Sequence, residues 1–429
     1  MKKITLLALF ATIFTSYSQN YKDLIKKADS SYNAKSYDLS NDFYKKAFKI
    51  EAKNSNDLYN GACASALANE KENAFFYLKL SINNGWTYLE QLKTDNDLES
   101  LHSETEWPKL IEKLKKKNDK ELDTIFNVGK QVDRMSVSKT DPSGLYINDG
   151  NSTELFYYKF MPKNAIKGVL VILPSGGEII ENTLRQISLY KIAVEKGIMV
   201  IVPSINWSSY NRDAEFNMLD KIFSEIVENH KVAKSKFIIG GLSNGAMISL
   251  TYAERASKNP EKHYLIPKGI FALDAPLDEA RFYKYCEREI KRNIVQAGVN
   301  EARLIKNNWD KIYGGSPDQF PEKYIENSIY SYGAKEGGNA KYLKEIPLLM
   351  FTDMDIDWLI NERHRDLYDW NGIDIISMIN QLKILGNENA KVIVSQGKGF
   401  RLDGTKNPHS WSIMNSEVCL NWILETLDN

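Results

Sequence analysis

The sequence predicts an α/β protein: a mostly parallel sheet covered by helices on both faces, preceded by a small all-α region. Three observations carry that reading. After residue 140, continuous apolar runs alternate with helical stretches, the pattern of strands buried on both faces. Before residue 120 the chain is helical in pattern, nearly free of proline and weakly repetitive with a period of 34. One apolar run, "KFIIG", ends in Gly241-Leu242-Ser243-Asn244-Gly245, a G-x-S-x-G pentapeptide where a strand gives way to a helix.

The 429 residues suit two domains behind a leader. Lysine and arginine total 56, matched by 56 aspartates and glutamates, so the chain as a whole lacks the basic footprint of a nucleic-acid binder or of a protein held on an anionic membrane. The opening "MKKITLLALFATIFTSYSQN" sets two lysines before an apolar run from Ile4 to Phe14, then Ser16-Tyr17-Ser18. This is the layout of a secretory signal peptide cut after Ser18, and the run is shorter than the roughly 18 apolar residues of a membrane span. The leader contains no cysteine that could be lipidated. Export to the periplasm or the extracellular space is therefore expected. The three scattered cysteines, Cys63, Cys286 and Cys419, form neither a disulfide framework nor a metal cluster in sequence. Neither a metal nor a cofactor is expected, and stability must come from a core.

The expected order is a signal peptide over 1–18, a helical domain over 19–120, a linker over 121–139 and an α/β domain over 140–429. Within the helical domain Ala28 aligns with Ala62, Ser40 with Ala74, Tyr44 with Leu78 and Ala47 with Ser81. Small and bulky positions so spaced are what close helix pairs require. The segment "KSYDLSNDFYKKAFKIEAKN" resembles a tetratricopeptide repeat, with "DNDLESLHSETEWPKLIEKLKKK" as its cap. A generic helical bundle is the alternative, and a protein partner is the ligand such repeats would take. "LYIND" and "ELFYYKF" then read as strands, bounded by Pro142-Ser143-Gly144 and Asp149-Gly150-Asn151 turns. "GVLVILP", a helical stretch near Thr183 to Glu195, "GIMVIVP", the helical "AEFNMLDKIFSEIVENH", "KFIIG" and "AMISLTYAERA" follow. "GIFALDAP", "IPLLMFTD" and "KVIVSQ" supply three more strands of buried type. Between the first two of these lies an aromatic-rich insertion, about 277–345, read either as a cap over the sheet's active edge or as a surface excursion.

Ser243 at the strand-to-helix corner is the expected nucleophile, with its oxygen lifted into a cleft and a helix amino end behind it. A serine needs a base. His409 follows the last strand by the loop "GKGFRLDGTKNPHSW", and a loop leaving the end of that strand reaches the same sheet edge. His364 is the second choice, and His102, His230 and His263 lie in less suitable places. The carboxylate that orients the histidine is expected at Asp355, with Asp353, Asp357 and Asp274 as alternatives. Oxyanion donors are expected from the N–H of Asn244 and from Gly177 or Glu178 in "LPSGGEIIE".

Together these residues resemble the α/β-hydrolase superfamily over roughly residue 140 to the C-terminus, in the order Ser243, Asp355, His409. The resemblance implies an eight-stranded sheet, a Ser-His-Asp triad and no metal. The chain departs from it where many relatives carry His-Gly before the acid loop and this one has Phe351-Thr352-Asp353. The expectation is an exported serine hydrolase acting on a small-molecule or carbohydrate-linked ester. The alternatives are a peptidase or acyltransferase of the same fold, or an inactive hydrolase-like binding protein. Phe282, Tyr283, Trp309, Tyr313, Trp358 and Trp411 supply aromatic surface for a pocket or simply for a core.

Overall fold

The computed structural model describes residues 20–148, 154–207, 212–402 and 404–428. The leader read over residues 1–18 and the Asp149-Gly150-Asn151 turn lie outside them. Contacts divide the chain into two units: residues 20–124 together with 402–405, and 125–401 with 406–428.

The first unit is helical: α1 (residues 20–33), α2 (Tyr37–Ile50), α3 (Ser55–Leu67), α4 (Lys71–Asn83), α5 (Leu89–Thr94), a 3-10 turn (Asn96–Leu101) and α6 (Trp107–Phe126). Asn54 starts α3 by accepting the N–H groups of Asn56 and Asp57 at 2.9 Å each, which satisfies two donors that a helix start leaves open. All eight residues paired by the 34-residue period are at most 1% exposed. Two of the small ones also tie helices together: Ser40 donates to the carbonyl of Ala28 at 2.9 Å and Ser81 to that of Ser55 at 2.6 Å. Tyr59 stacks on Trp86 at 4.2 Å within the core.

The second unit holds one eight-stranded sheet: β1 (Gln131–Ser138), β2 (Leu155–Met161), β3 (Gly168–Leu173), β4 (Ile198–Pro203), β5 (Phe237–Leu242), β6 (Gly269–Leu273), β7 (Leu348–Asp353) and β8 (Ala390–Ser395). The strand order is β1-β2-β4-β3-β5-β6-β7-β8. β2 runs antiparallel to β1 and β4, and the remaining pairs are parallel. Five central strands, β3 to β7, are buried throughout, as their unbroken apolar runs require. The helices are α7 (Ile180–Gln186), α8 (Leu189–Glu195), α9 (Arg212–His230), α10 (Asn244–Lys258), α11 (Glu279–Arg292), α12 (Gln296–Tyr313), α13 (Pro321–Asn327), α14 (Ile356–Asn361), α15 (Gly372–Ile384) and α16 (Ser416–Asp428). α9 turns Phe216, Leu219, Phe223 and Ile226 inward, as their spacing predicts.

Three local expectations are corrected. The first strand, β1, lies inside the stretch read as a linker. "LYIND" forms no strand over its described residues. The side chain of Asn206 takes the ladder's place there, accepting the Ile147 N–H and donating to the Ile147 carbonyl at 2.7 Å each. β8 is an edge strand with most residues partly or fully exposed, although "KVIVSQ" reads as buried.

The insertion contains α11, α12, α13 and a kinked 3-10 stretch (Lys335–Leu343). Tyr283, Trp309, Tyr313 and Tyr324 form its own core. Its root is pinned by Asp374 of α15, fully buried, which accepts the N–H groups of Leu277 at 3.0 Å and Asp278 at 3.2 Å. The same carboxylate takes Arg281 in a two-pronged pair at 2.5 and 2.7 Å, the fork geometry that suits a guanidinium to a carboxylate.

Candidate active site

β5 and β6 are parallel neighbours, and their registered residues end at Leu242 opposite Leu273. The next residue on each strand is Ser243 and Asp274. The pair is fixed backbone to backbone: the Ser243 N–H donates to the Leu273 carbonyl at 2.9 Å, and the Asp274 N–H to the Phe351 carbonyl of β7 at 3.0 Å. Ser243 sits at φ 56° and ψ −117°, a strained conformation for a residue with a side chain. Its flanking glycines make the corner feasible. A Cβ on Gly241 would meet the Leu173 carbonyl oxygen of β3 at 2.4 Å, and one on Gly245 would meet the same atom at 2.3 Å. The pentapeptide thus packs so closely on β3 that two of its positions exclude any side chain. α10 begins at Asn244, immediately after the serine.

Asp274, 3% exposed, meets His409: its Oδ2 lies 2.6 Å from Nδ1 of the imidazole. A carboxylate accepts, so Nδ1 carries the hydrogen, and in the neutral ring the lone pair is then on Nε2. Thr352 donates to the other oxygen of Asp274 at 3.0 Å, and the Asn371 amide approaches Oδ2 at 3.4 Å. The acid is therefore held in orientation by β7 and the start of α15. Ser243, Asn244, Asp274 and His409 line one cavity of about 260 Å³.

The carboxylate expected from sequence, Asp355, is not the histidine's partner. It caps α14 by accepting the Trp358 N–H at 3.0 Å and pairs with Lys406. Asp353 lies fully buried and organises the loop that delivers the histidine. It accepts Ser395 Oγ at 2.6 Å and the N–H groups of Lys398 and Gly399 at 3.0 and 3.1 Å. Asp357 is exposed. His364 is exposed beyond α14, His263 faces Asp220 at 3.5 Å, and His230 closes α9. Further along the loop, His409's own N–H donates to Asn407 Oδ1 at 2.9 Å.

The glycine loop also differs from expectation. The Gly177 N–H donates to the Asn206 carbonyl at 2.7 Å and that of Glu178 to the Ser175 carbonyl at 3.1 Å, so both expected donors are engaged within the protein. Gly176 instead lines the cavity, and its Cβ position stands 3.7 Å from that of Asn244. The Glu178 side chain acts elsewhere, accepting from Thr183 at 2.7 Å and from the Trp411 indole at 2.8 Å. It thereby joins the glycine loop to the segment just after His409. Sequence reasoning does not single out Asn206, although an asparagine three residues past a buried strand's end is a recognisable turn former.

Phe282, Trp309 and Trp358 line the cavity, with Phe282 and Trp309 supplied by the insertion; Tyr283 and Tyr313 belong to the insertion's core, and Trp411 is buried. The insertion therefore walls the cavity beside Ser243, as a cap would. Among the described residues, the cavity lining contains no cysteine, and His409 is its only histidine.

No family model and no curated protein sequence matches the chain. Solved structures similar to it include the Pyrococcus horikoshii acylaminoacyl peptidase, with 14% identity and a TM-score of 0.42 over 71% of this chain and 42% of that one. An esterase of Pyrobaculum calidifontis aligns at 13% identity and a TM-score of 0.43, over 74% of this chain and 91% of the esterase. Two Rhizomucor miehei esterases are described by a further match, at 12% identity, a TM-score of 0.44, and 72% and 87% coverage. This chain thus spans less than half the length of the peptidase.

Proposed function

We propose that the protein is a serine hydrolase of the α/β-hydrolase fold that cleaves carboxylic esters through an acyl-enzyme. The observation that carries the proposal is the 2.6 Å contact of His409 with Asp274, beside a serine held at positive φ in the same cavity. In this reading Nε2 of His409 takes the proton of Ser243 Oγ as the oxygen attacks the ester carbonyl. Asp274 holds the Nδ1–H tautomer and stabilises the imidazolium that forms. The N–H groups of Asn244 and Gly176 meet the oxyanion. The imidazolium then protonates the leaving alcohol, and water activated by the same histidine releases the acid. The helical unit, in the same reading, recruits a protein partner, and the leader directs export.

Turnover of p-nitrophenyl acetate by the protein and by Ser243→Ala, at equal concentration and with matching circular dichroism, tests the assignment. Hydrolysis that vanishes with the hydroxyl, together with fluorophosphonate labelling of Ser243, is the expected result. Absence of both turnover and labelling in the unaltered protein overturns it in favour of a binding function.

A further inference from the structure

Three arginines line the cavity beside Ser243: Arg363, Arg365 and Arg401. The acids lining it are Asp274, Asp369 and Glu301. Most of this charge is already matched. Asp274 holds His409, and Asp369 takes Arg292 and the Arg288 Nε, the latter at 3.1 Å. Arg365 forms a two-pronged pair with Glu289 at 2.7 and 3.0 Å. Glu301 is exposed at the rim and lies in no ion pair with any of the three arginines.

Arg363 is left without an anion of its own. Its nearest carboxylate oxygen belongs to Glu289, 4.0 Å away and already bonded to Arg365. Its Nε is buried and has no hydrogen-bond partner. Burial, reinforced by the charge of Arg365 and Arg401, holds its pKa below the usual arginine value, as befits a cation short of a counter-charge. The guanidinium lies against α12, where a Cβ on Gly298 would come within 2.9 Å of Nη2, and 5.4 Å from the centroid of the Trp358 ring. Arg401, exposed, makes no ion pair among the described residues. The same cavity is lined by the apolar and aromatic side chains of Phe282, Leu304, Ile305, Trp309 and Trp358.

A half-buried guanidinium whose only carboxylate is shared with a better-placed arginine is costly to keep. Its planar fork matches a planar carboxylate. We propose that Arg363, with Arg401 beside it, is a substrate-anion subsite selecting esters that carry a free carboxylate on an apolar or aromatic body. The proposal rests on the ester-hydrolase reading and names its substrate class.

Paired esters test it. Mono-p-nitrophenyl glutarate beside p-nitrophenyl pentanoate places the carboxylate in the acyl part; 4-acetoxybenzoate beside phenyl acetate places it in the leaving group. The wild-type ratio of kcat/KM, carboxylated over neutral, is expected to reach about tenfold in one pair, the size of one charge-assisted contact. That ratio collapses in Arg363→Gln, is partly kept in Arg363→Lys, and weakens in Arg401→Gln, a surface change that does not threaten folding. Competitive inhibition by benzoate but not by inorganic phosphate also supports a carboxylate subsite, and the reverse overturns it. Hydrolysis of neutral esters with no preference in either pair, unchanged in Arg363→Gln and Arg401→Gln, overturns the subsite and leaves the hydrolase reading standing. Failure to turn over any ester removes both.

Discussion

Asp274 and Asp355 lie at similar places in sequence, just past the ends of neighbouring strands, yet a single change at each has opposite expected effects. Asp274→Asn keeps the shape of the acid but presents an amide to Nδ1, favouring the wrong tautomer; kcat for ester hydrolysis should fall by about 10⁴-fold while the thermal midpoint changes little. Asp355→Asn should retain most of the activity and cost about 1 kcal/mol or less in urea denaturation, because its carboxylate caps α14 and pairs with a half-exposed lysine. The positions of Ser243, at a strand-to-helix corner, and of His409, in the loop after the last strand, were legible because the strand context of each is visible in the residues themselves. The carboxylate that meets His409 was not, since both neighbouring strands run into an aspartate, Leu273-Asp274 in one and Phe351-Thr352-Asp353 in the other. The choice between them is made by register, Leu242 opposite Leu273, and by the reach of a loop, neither of which is written in a linear pattern. The same holds for Gly177: the double glycine is readable, but not that the Asn206 carbonyl has already taken its N–H.

Elements that touch the serine corner tolerate little. Gly245→Ala would drive a methyl to 2.3 Å from the Leu173 carbonyl oxygen and 2.6 Å from that of Pro174. Both are backbone atoms of one buried strand and the residue after it, so relief requires the sheet to shift. A loss of about 3 kcal/mol in urea denaturation is expected, with hydrolysis lost alongside. The root of the insertion makes a second test. Arg281→Met leaves the fully buried Asp374 with two backbone donors but no cation, and breaking such a pair costs about 3–5 kcal/mol. Arg281→Met with Asp374→Leu, which removes both charges, should recover part of that loss. The central strands were legible from their apolar runs, and α9 from its spacing. β1 was not: "QVDRMSVS" is an edge strand with polar residues on most of its length, and nothing but its pairing with β2 distinguishes it from a linker. "LYIND" misled for the converse reason, because a side-chain amide can imitate a strand's hydrogen bonds.

At the scale of the whole molecule the three cysteines act as built-in reporters. Cys63 lies in the first unit, Cys286 and Cys419 in the second, and all are free and buried. Burial pushes the Cys286 thiol up to about 12, raises Cys63 well above its ordinary value and raises Cys419 in the same direction. Since the thiolate is the reactive form, the native protein at pH 8 should react negligibly with a chromogenic disulfide reagent, while the denatured chain should titrate three thiols. Followed residue by residue through a urea series, labelling of Cys63 against the other two shows whether the two units melt together. Early modification of Cys286 alone would instead mark local opening of α11. The change of periodicity is visible in the residues after 120, whereas the contact boundary at residue 124 depends on packing and not on composition.

The backbone bond between Ser243 and Leu273 has a practical corollary. Ser243 and Asp274 are indexed to each other by adjoining strands before the chain departs into residues 277–345. The departure is mounted on Asp374 and the return on Asn387, which donates to the carbonyls of Leu343 at 3.0 Å and Ile346 at 2.8 Å. The insertion's part of the cavity wall, including Phe282, Ile305 and Trp309, is thus an exchangeable cartridge, while the spacing of Ser243 and Asp274 is set by the chassis. A recombination library that splices foreign insertions between Pro276 and Ile346, and carries Arg281 over into each, would vary which acyl or alcohol groups are admitted while leaving the serine and its acid in register.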